Sequence, residues 1–188
     1  MNLWIRTEAY LRKQYFKNLS GNYNQMEGKP ILNQALLIQG KGRVLIGKDV
    51  QIGYELSPQF WTSYAYFDLR GDAAFIELGD GVIFNNNTSL TADGASIQIG
   101  KNTVAGINLN INTSDGHALN PTMRNNGNYP RLSVNIGENV FIGDNVMILK
   151  GVNIGKNSVI GAASVVTGDI PDNVIAAGNP CRIIRLLN

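Results

Sequence analysis

Residues 136–166 read IGENVFIGDNVMILKGVNIGKNSVIGAASVV, and an aliphatic side chain returns at every sixth place: Ile136, Ile142, Ile148, Ile154, Ile160 and Val166. Glycine follows four of them directly, as Gly137, Gly143, Gly155 and Gly161. The fourth place after each holds a small or β-branched residue: Val140, Val146, Val152, Ser158, Ser164 and Ile170. A period of six is a multiple of the two-residue alternation of extended chain and clashes with the 3.6-residue period of a helix. It predicts an all-β fold, a parallel β-helix of hexapeptide repeats. Each repeat is a short strand and a turn, and it buries its aliphatic residue only by stacking on the next coil.

Working outward, the register can be followed toward the N-terminus. Ile46-Gly47 and Ile52-Gly53 are two repeats in phase, with Val50 at the expected fourth place. Residues 54–75 break the rhythm with Pro58 and an aromatic group that includes Phe60, Trp61, Tyr64, Tyr66 and Phe67. These could pack in the core or line an acceptor site. Repeats resume at Leu78, Phe84 and Leu90, and Ile99, Ala105 and Ile111 follow after three extra residues around Asp93–Ile97. One further step lands on His117. The distance from there to Ile136 is not a multiple of six, and the segment between holds Pro121, Asn125, Asn126, Gly127, Asn128 and Pro130. That composition predicts a long loop over 117–135, and a long loop leaving a regular solenoid is more often functional than accidental. Residues 1–20 differ: Leu3, Trp4, Tyr10, Leu11, Tyr15 and Leu19 recur at helical spacing with Arg6, Arg12, Lys13 and Lys17 between them. An amphipathic helix over 1–20 is predicted, capping the first coil or resting on a membrane surface or partner. The domain organisation is then this helix and a β-helix domain over 21–188, with a C-terminal tail over 172–188.

The 188 residues allow one such domain, and a hydrophobic content of 44% with 21 glycines suits a globular chain rich in turns. The net charge of +2 gives no argument for nucleic acid. One cysteine, Cys181, leaves no internal disulfide framework, no apolar run is long enough to span a membrane, and the N-terminus has no apolar signal core. A cytoplasmic protein without membrane contact is expected.

His117 is the only histidine. A three-histidine metal centre cannot be built from one per chain except on a threefold axis, so no metal is expected. The same residue is the one side chain whose ordinary pKa suits general-base work near neutrality. A lone histidine can equally be an ordinary surface residue. Here it stands at the coil break after Ser114-Asp115-Gly116, where Asp115 could orient its ring or simply shape an Asx turn.

The repeat run, the segment INTSDGHALNPTMRNNGNYPRLSVNIG and the ending IGAASVVTGDIPDNVIAAGNPCRIIR resemble the hexapeptide acyltransferases, within them the maltose, galactoside and polysaccharide O-acetyltransferase branch. The resemblance covers about residues 76–186. It implies a left-handed β-helix with triangular coils, assembled as a homotrimer with sites between subunits, although parallel crossovers are otherwise right-handed. It also implies that His117 takes the proton from an acceptor hydroxyl, which attacks the thioester of acetyl-CoA without an acyl-enzyme. The family's acceptor-side asparagine falls on Asn86 and its acidic acceptor contact on Asp93, where a turn-side asparagine ladder is the structural alternative. Arg124 and Arg131 in the loop could meet an acidic sugar. On the cofactor side the family pattern matches Ala162, Ala163, Ser164, Thr167, Arg182 and Arg185, the arginines suiting the phosphates of CoA. A family tryptophan is Phe141 here and a family lysine is Gly168. The function implied is acetyl-CoA-dependent O-acetylation of a saccharide hydroxyl in polysaccharide biosynthesis or on a small sugar. N-acetylation of a nucleotide-linked amino sugar and a non-catalytic scaffold are the alternatives.

Overall fold

The computed structural model describes residues 3–21 and 23–187, and the side chains of all of these except residues 3–5 and 24. Residues 1, 2, 22 and 188, and the Leu3 and Trp4 side chains of the expected helical stripe, lie outside the described residues. The chain winds as a parallel β-helix with three flat faces. Met26–Glu27, Arg43–Ile46, Phe75–Leu78, Ser96–Ile99, Val134–Ile136 and Asn153–Ile154 stack into the first face. The second begins with Ile31–Leu32, Gln51–Ile52, Ile83–Phe84, Val104–Ala105, Phe141–Ile142 and Val159–Ile160. The third holds Leu36–Gly40, Ala65–Arg70, Ser89–Asp93, Asn110–Asn112, Met147–Ile148 and Val165–Val166. Each coil therefore gives one strand to each face, and every strand in these three sets pairs in parallel with the one from the next coil.

The hexapeptide period produces this directly. Ile136 pairs with Ile154, Ile142 with Ile160 and Ile148 with Val166, partners three repeats apart. All six are buried, as are Val140, Val146, Val152, Ser158, Ser164 and Ile170. The coil interior is thus filled by aliphatic columns, with Phe67, Phe84 and Leu90 adding bulk in the earlier coils. Glycine follows the aliphatic residue for a steric reason: a Cβ on Gly137 would sit 2.6 Å from the Lys156 nitrogen of the next coil. The left-handed positions that are not glycine are held mostly by asparagine, which tolerates positive φ. Asn139 donates to Asn157 and Asn157 to Asn173, each at 2.9 Å, one amide per coil along the edge between the first and second faces. A second row runs Asn87 to Asn108 to Asn145 along the edge between the second and third faces.

Two insertions leave the stack without disturbing it. Residues 54–64 bulge between Gln51–Ile52 and Ala65–Arg70. The aromatic group there divides: Phe60 and Phe67 are core, Trp61 is exposed at the surface, and Tyr64 and Tyr66 are partly open. The longer insertion leaves after Asn110–Asn112 and returns at Val134–Ile136, on the edge between the third and first faces, yet Ile99 still pairs with Ile136 across it.

Added segments pack at both ends of the stack, where unpaired strand edges would otherwise be open. The helix Leu3–Leu19 (α1) lies against the first coil. Its Lys13 Nζ donates to the Leu32 carbonyl at 3.0 Å, Arg12 donates to the Trp61 and Ser63 carbonyls at 2.6 and 2.8 Å, and Phe16 stacks on Tyr64 at 4.5 Å. Tyr10, Leu11, Tyr15 and Leu19 remain exposed on its outer side. At the other end Val174–Gly178 extends the second face, and Cys181–Leu186 returns antiparallel against it. Among the described residues no helix is long and apolar enough to cross a membrane.

Candidate active site

The long loop is anchored on one buried carboxylate. Asp93 ends the strand Ser89–Asp93 on the third face and its side chain is almost wholly buried. Its Oδ2 accepts from Ser114 Oγ at 2.7 Å and from the Tyr129 hydroxyl at 2.9 Å, and its Oδ1 accepts from Arg131 Nε at 3.1 Å. Its backbone nitrogen donates to Thr113 Oγ1 at 2.8 Å. Burial raises the Asp93 pKa, but the hydrogen bonds from Ser114, Tyr129 and Arg131 more than offset this and hold it below the ordinary carboxylate value. The contacts tie the departing end of the loop, Ser114, to its returning end, Tyr129 and Arg131. An antiparallel bridge between Ser114 and Arg131 and the stacking of the Arg131 guanidinium on the Tyr129 ring at 4.1 Å complete the closure.

Three residues beyond this anchor, His117 is exposed, with Nδ1 3.2 Å from the Arg124 carbonyl oxygen. A carbonyl can only accept, so Nδ1 donates to it, and in the neutral ring the lone pair then lies on Nε2. The carbonyl is placed by a short 3-10 turn, Pro121–Met123, which Asn120 caps by accepting from the Thr122 nitrogen at 3.0 Å. Asp115 is hydrogen-bonded elsewhere, to Lys150 and not to the ring. Both its oxygens lie 2.6 Å from Lys150 Nζ, which reaches up from the next coil, and each side chain is about one quarter exposed. The histidine is therefore oriented by a backbone carbonyl and the turn before it by an ion pair.

The other sequence-predicted residues divide. Arg124 contributes its carbonyl, while its side chain is exposed. Asn86 is fully buried: its Oδ1 accepts from the Tyr54 nitrogen and its Nδ2 faces the carbonyls of Tyr54, Ser57 and Pro58, so it pins the 54–64 insertion and offers nothing to an acceptor. Its neighbour Asn87, at φ 62, is the one turned outward into the asparagine row. Ser164 also faces inward, donating to the Gly161 carbonyl at 2.6 Å and accepting from the Gly178 nitrogen at 3.0 Å, so its side chain is not presented at the surface. Ala162 and Ala163 are exposed on the edge between the second and third faces. Phe141 is exposed on the second face, and Arg182 and Arg185 are exposed on the returning strand at the end of the same sheet, with Val159–Ile160 and Val174–Gly178 between. Thr167 is exposed where the third face ends, on the same edge as Lys150. One chain thus brings His117, Asp115, Arg124 and Asp93 together, whereas Phe141, Ala162, Ala163, Arg182 and Arg185 lie on other parts of the prism. Lys150, Ser114 and Tyr129 were not singled out from the sequence. A signal for Lys150 existed, since the glycine expected after Ile148 is replaced by Leu149-Lys150-Gly151.

Residues 133–168 match the family model described as bacterial transferase hexapeptide (six repeats). The galactoside O-acetyltransferase of Escherichia coli is 43% identical over 113 residues, 60% of this chain and 55% of that protein. The matches to the first sequence relatives span 54% to 61% of their lengths, less than two thirds. Among solved structures, a maltose O-acetyltransferase from Clostridium difficile superposes with a TM-score of 0.56 at 24% identity, covering 100% of this chain and 90% of that one. A mutant of the Bacillus cereus N-acyltransferase AntD superposes at 0.63 with 17% identity, covering 94% and 89%. These superpositions show the left-handed β-helix fold. Residues 133–168 thus carry the six repeats of the bacterial transferase hexapeptide model.

Proposed function

We propose that the protein is an acetyl-CoA-dependent O-acetyltransferase that transfers the acetyl group to a hydroxyl of a saccharide. The observation that carries this reading is His117, held with Nδ1–H on the Arg124 carbonyl so that Nε2 is free as a base at the rim of an anchored loop. The 43% identity to a protein named galactoside O-acetyltransferase supports the acetyl group and the sugar acceptor. Nε2 accepts the proton of the acceptor hydroxyl as its oxygen attacks the thioester carbonyl, and the imidazolium returns a proton to the leaving thiolate. The Asp115–Lys150 pair steadies the turn behind the histidine.

The surface fits CoA in kind. Ala162 and Ala163 present an exposed edge without bulky side chains, Phe141 offers a ring, and the Arg182 and Arg185 guanidinium groups donate to the backbone carbonyls of Cys181 and Leu186. CoA bound there would supply the activated acetyl group. Because these residues and His117 lie apart on one chain, we read the complete site as formed between copies in a homotrimer. An outward apolar row on the second face, Ile83, Val104, Phe141 and Val159 in one register, supports burial against a second copy. A cytoplasmic setting goes with the use of acetyl-CoA. The test is thiol release from acetyl-CoA over a panel of sugars. His117→Ala is expected to lower kcat by about a hundred- to ten-thousandfold, and unchanged turnover would overturn the assignment.

A further inference from the structure

The 54–64 insertion forms one wall of a cleft that the site above does not use. The cleft has a volume of about 560 Å³, within the ordinary range for small-molecule sites, and is lined by Gln59, Thr62, Tyr64, Tyr66, Asn87 and Ser89 among others. We propose that it is a remote subsite for one uncharged sugar unit of an extended glycan, so that the acceptor is an oligosaccharide and not a free single sugar. This rests on the acetyltransferase reading for its link to His117, but its geometry stands by itself.

Three observations point to this ligand. The first is chemical: all the lining side chains are neutral, and they combine aromatic rings with hydroxyls and amides. Flat C–H faces of a pyranose pack on aromatic rings, and its hydroxyls need side chains that both donate and accept. The Asp68 and Arg70 charges nearby pair with each other at 2.8 Å, and the terminal nitrogens of Arg12 are taken up by the backbone carbonyls of Trp61 and Ser63. An acidic sugar would find no free cation among these lining residues.

The second observation is that the cleft is held open by a buried group. Gln34, nearly inaccessible, donates through Nε2 to the Gln59 carbonyl at 3.1 Å and to Ser63 Oγ at 3.0 Å. Its Oε1 accepts from the Asn87 nitrogen at 3.0 Å. One amide thus ties the insertion wall to the edge opposite. The Asn87 side chain is oriented by donating to Asn108 at 2.8 Å, which leaves its oxygen available. A site fixed before binding loses less ordering entropy when filled.

The third is position. Tyr66 pairs with Ser89 and Ser89 with Asn110, so Tyr66 and Asn110 stand two strands apart on the third face, about 10 Å at the usual ~4.8 Å spacing. The same face leads through Asn112 to Ser114 and the loop that carries His117. A polar line follows it, with Asp68 and Arg70 on one strand and Asp93 register-paired to Arg70 on the next. A chain of sugars lying along this face would occupy the cleft with one unit while presenting the hydroxyl of another to His117.

The experiment measures binding of the full chain, without acetyl-CoA, to immobilised glycans from single sugars to hexamers. Neutral hexose and N-acetylhexosamine oligomers are set against uronate and sialate oligomers. Neutral oligomers are expected to bind at least tenfold tighter than single sugars. Thr62→Trp, at the exposed rim, should abolish that difference by filling the cleft. Tyr64→Ala, which removes a ring without filling space, is the second variant and should weaken oligomer binding in the same direction. Preference for acidic oligomers, equal binding of single sugars and oligomers, or no glycan binding would each overturn the subsite. Wild-type chain that binds neutral oligomers but releases no thiol from acetyl-CoA with any of them would keep the subsite and overturn acetyl transfer. Equal transfer rates to single sugars and oligomers would keep acetyl transfer and overturn the subsite.

Discussion

Replacing Asp93 by asparagine keeps the shape of the anchor and removes its charge. In the native site both oxygens accept, two donors converging on Oδ2 and Arg131 on Oδ1. An amide has one accepting oxygen. If that oxygen keeps Ser114 and Tyr129, the NH2 group faces the Arg131 guanidinium, donor against donor. The loss is one charge-assisted pair and the weakening of two further bonds. Hydrogen bonds to a charged group are worth about 1.5–3 kcal/mol each and neutral ones about 1. Arg131 is about one third exposed and can turn to water, so the lower half of the range applies, and we expect about 2–3 kcal/mol. The aliphatic columns do not depend on Asp93, so the cost falls on local opening of the loop. Amide exchange at Ser114, Arg131 and Leu132 should quicken by roughly 30- to 150-fold, at about 1.4 kcal/mol per factor of ten, while global unfolding is little changed. The sign with pH follows from the lowered folded pKa. The carboxylate stabilises the loop above its ordinary value near 3.8 and loses that contribution as pH falls through the folded value. Wild-type loop protection should therefore fall below about pH 4, and that of the variant should stay flat there. Equal exchange rates at neutral pH, or the same acid response in both proteins, would refute the anchor.

Three further outcomes are expected. Lys150→Met should cost about 1 kcal/mol or less in stability, because its pair with Asp115 is partly solvated, yet lower kcat by about tenfold by loosening the turn before His117. Lys150→Arg should recover most of the rate in the same thiol-release assay. Asn108→Ala should destabilise by about 2–3 kcal/mol in denaturant melts, since it breaks two amide bonds and places alanine at φ 60, whereas Asn108→Gly should cost less. Arg182→Ala and Arg185→Ala should each raise the KM for acetyl-CoA several-fold with little change in kcat, and an unchanged KM would remove the two arginines from the cofactor surface.

The core was legible because stacking geometry imposes it. An inward aliphatic residue must recur at the same place in every repeat, so Ile136 to Val166 could be read without knowing what each residue touches. The long loop was legible as a break in that count. Partners across coils were not. Lys150 reaches Asp115 over a sequence separation of 35, and nothing in the local spacing marks the pair. Among Asn85, Asn86 and Asn87, which one turns outward depends on a single left-handed residue, Asn87, and a shift of one position exchanges a buried clamp for an exposed amide. The asparagine rows were visible in principle, at Asn139, Asn145 and Asn157, three places after the aliphatic residue. A polar turn residue looks alike whether it is solvated or bonded to the coil beside it.

The stacking also separates two kinds of sequence change. The pairing of Ile99 with Ile136 across the long loop is in the same register as that of Ile136 with Ile154 where no loop intervenes. An insertion at a corner therefore leaves the coils above and below in place. Loops at corners can lengthen, shorten or be exchanged as independent parts, while a change inside a strand is felt along its whole column. A corner is thus a place where a new surface can be grafted with the scaffold unchanged.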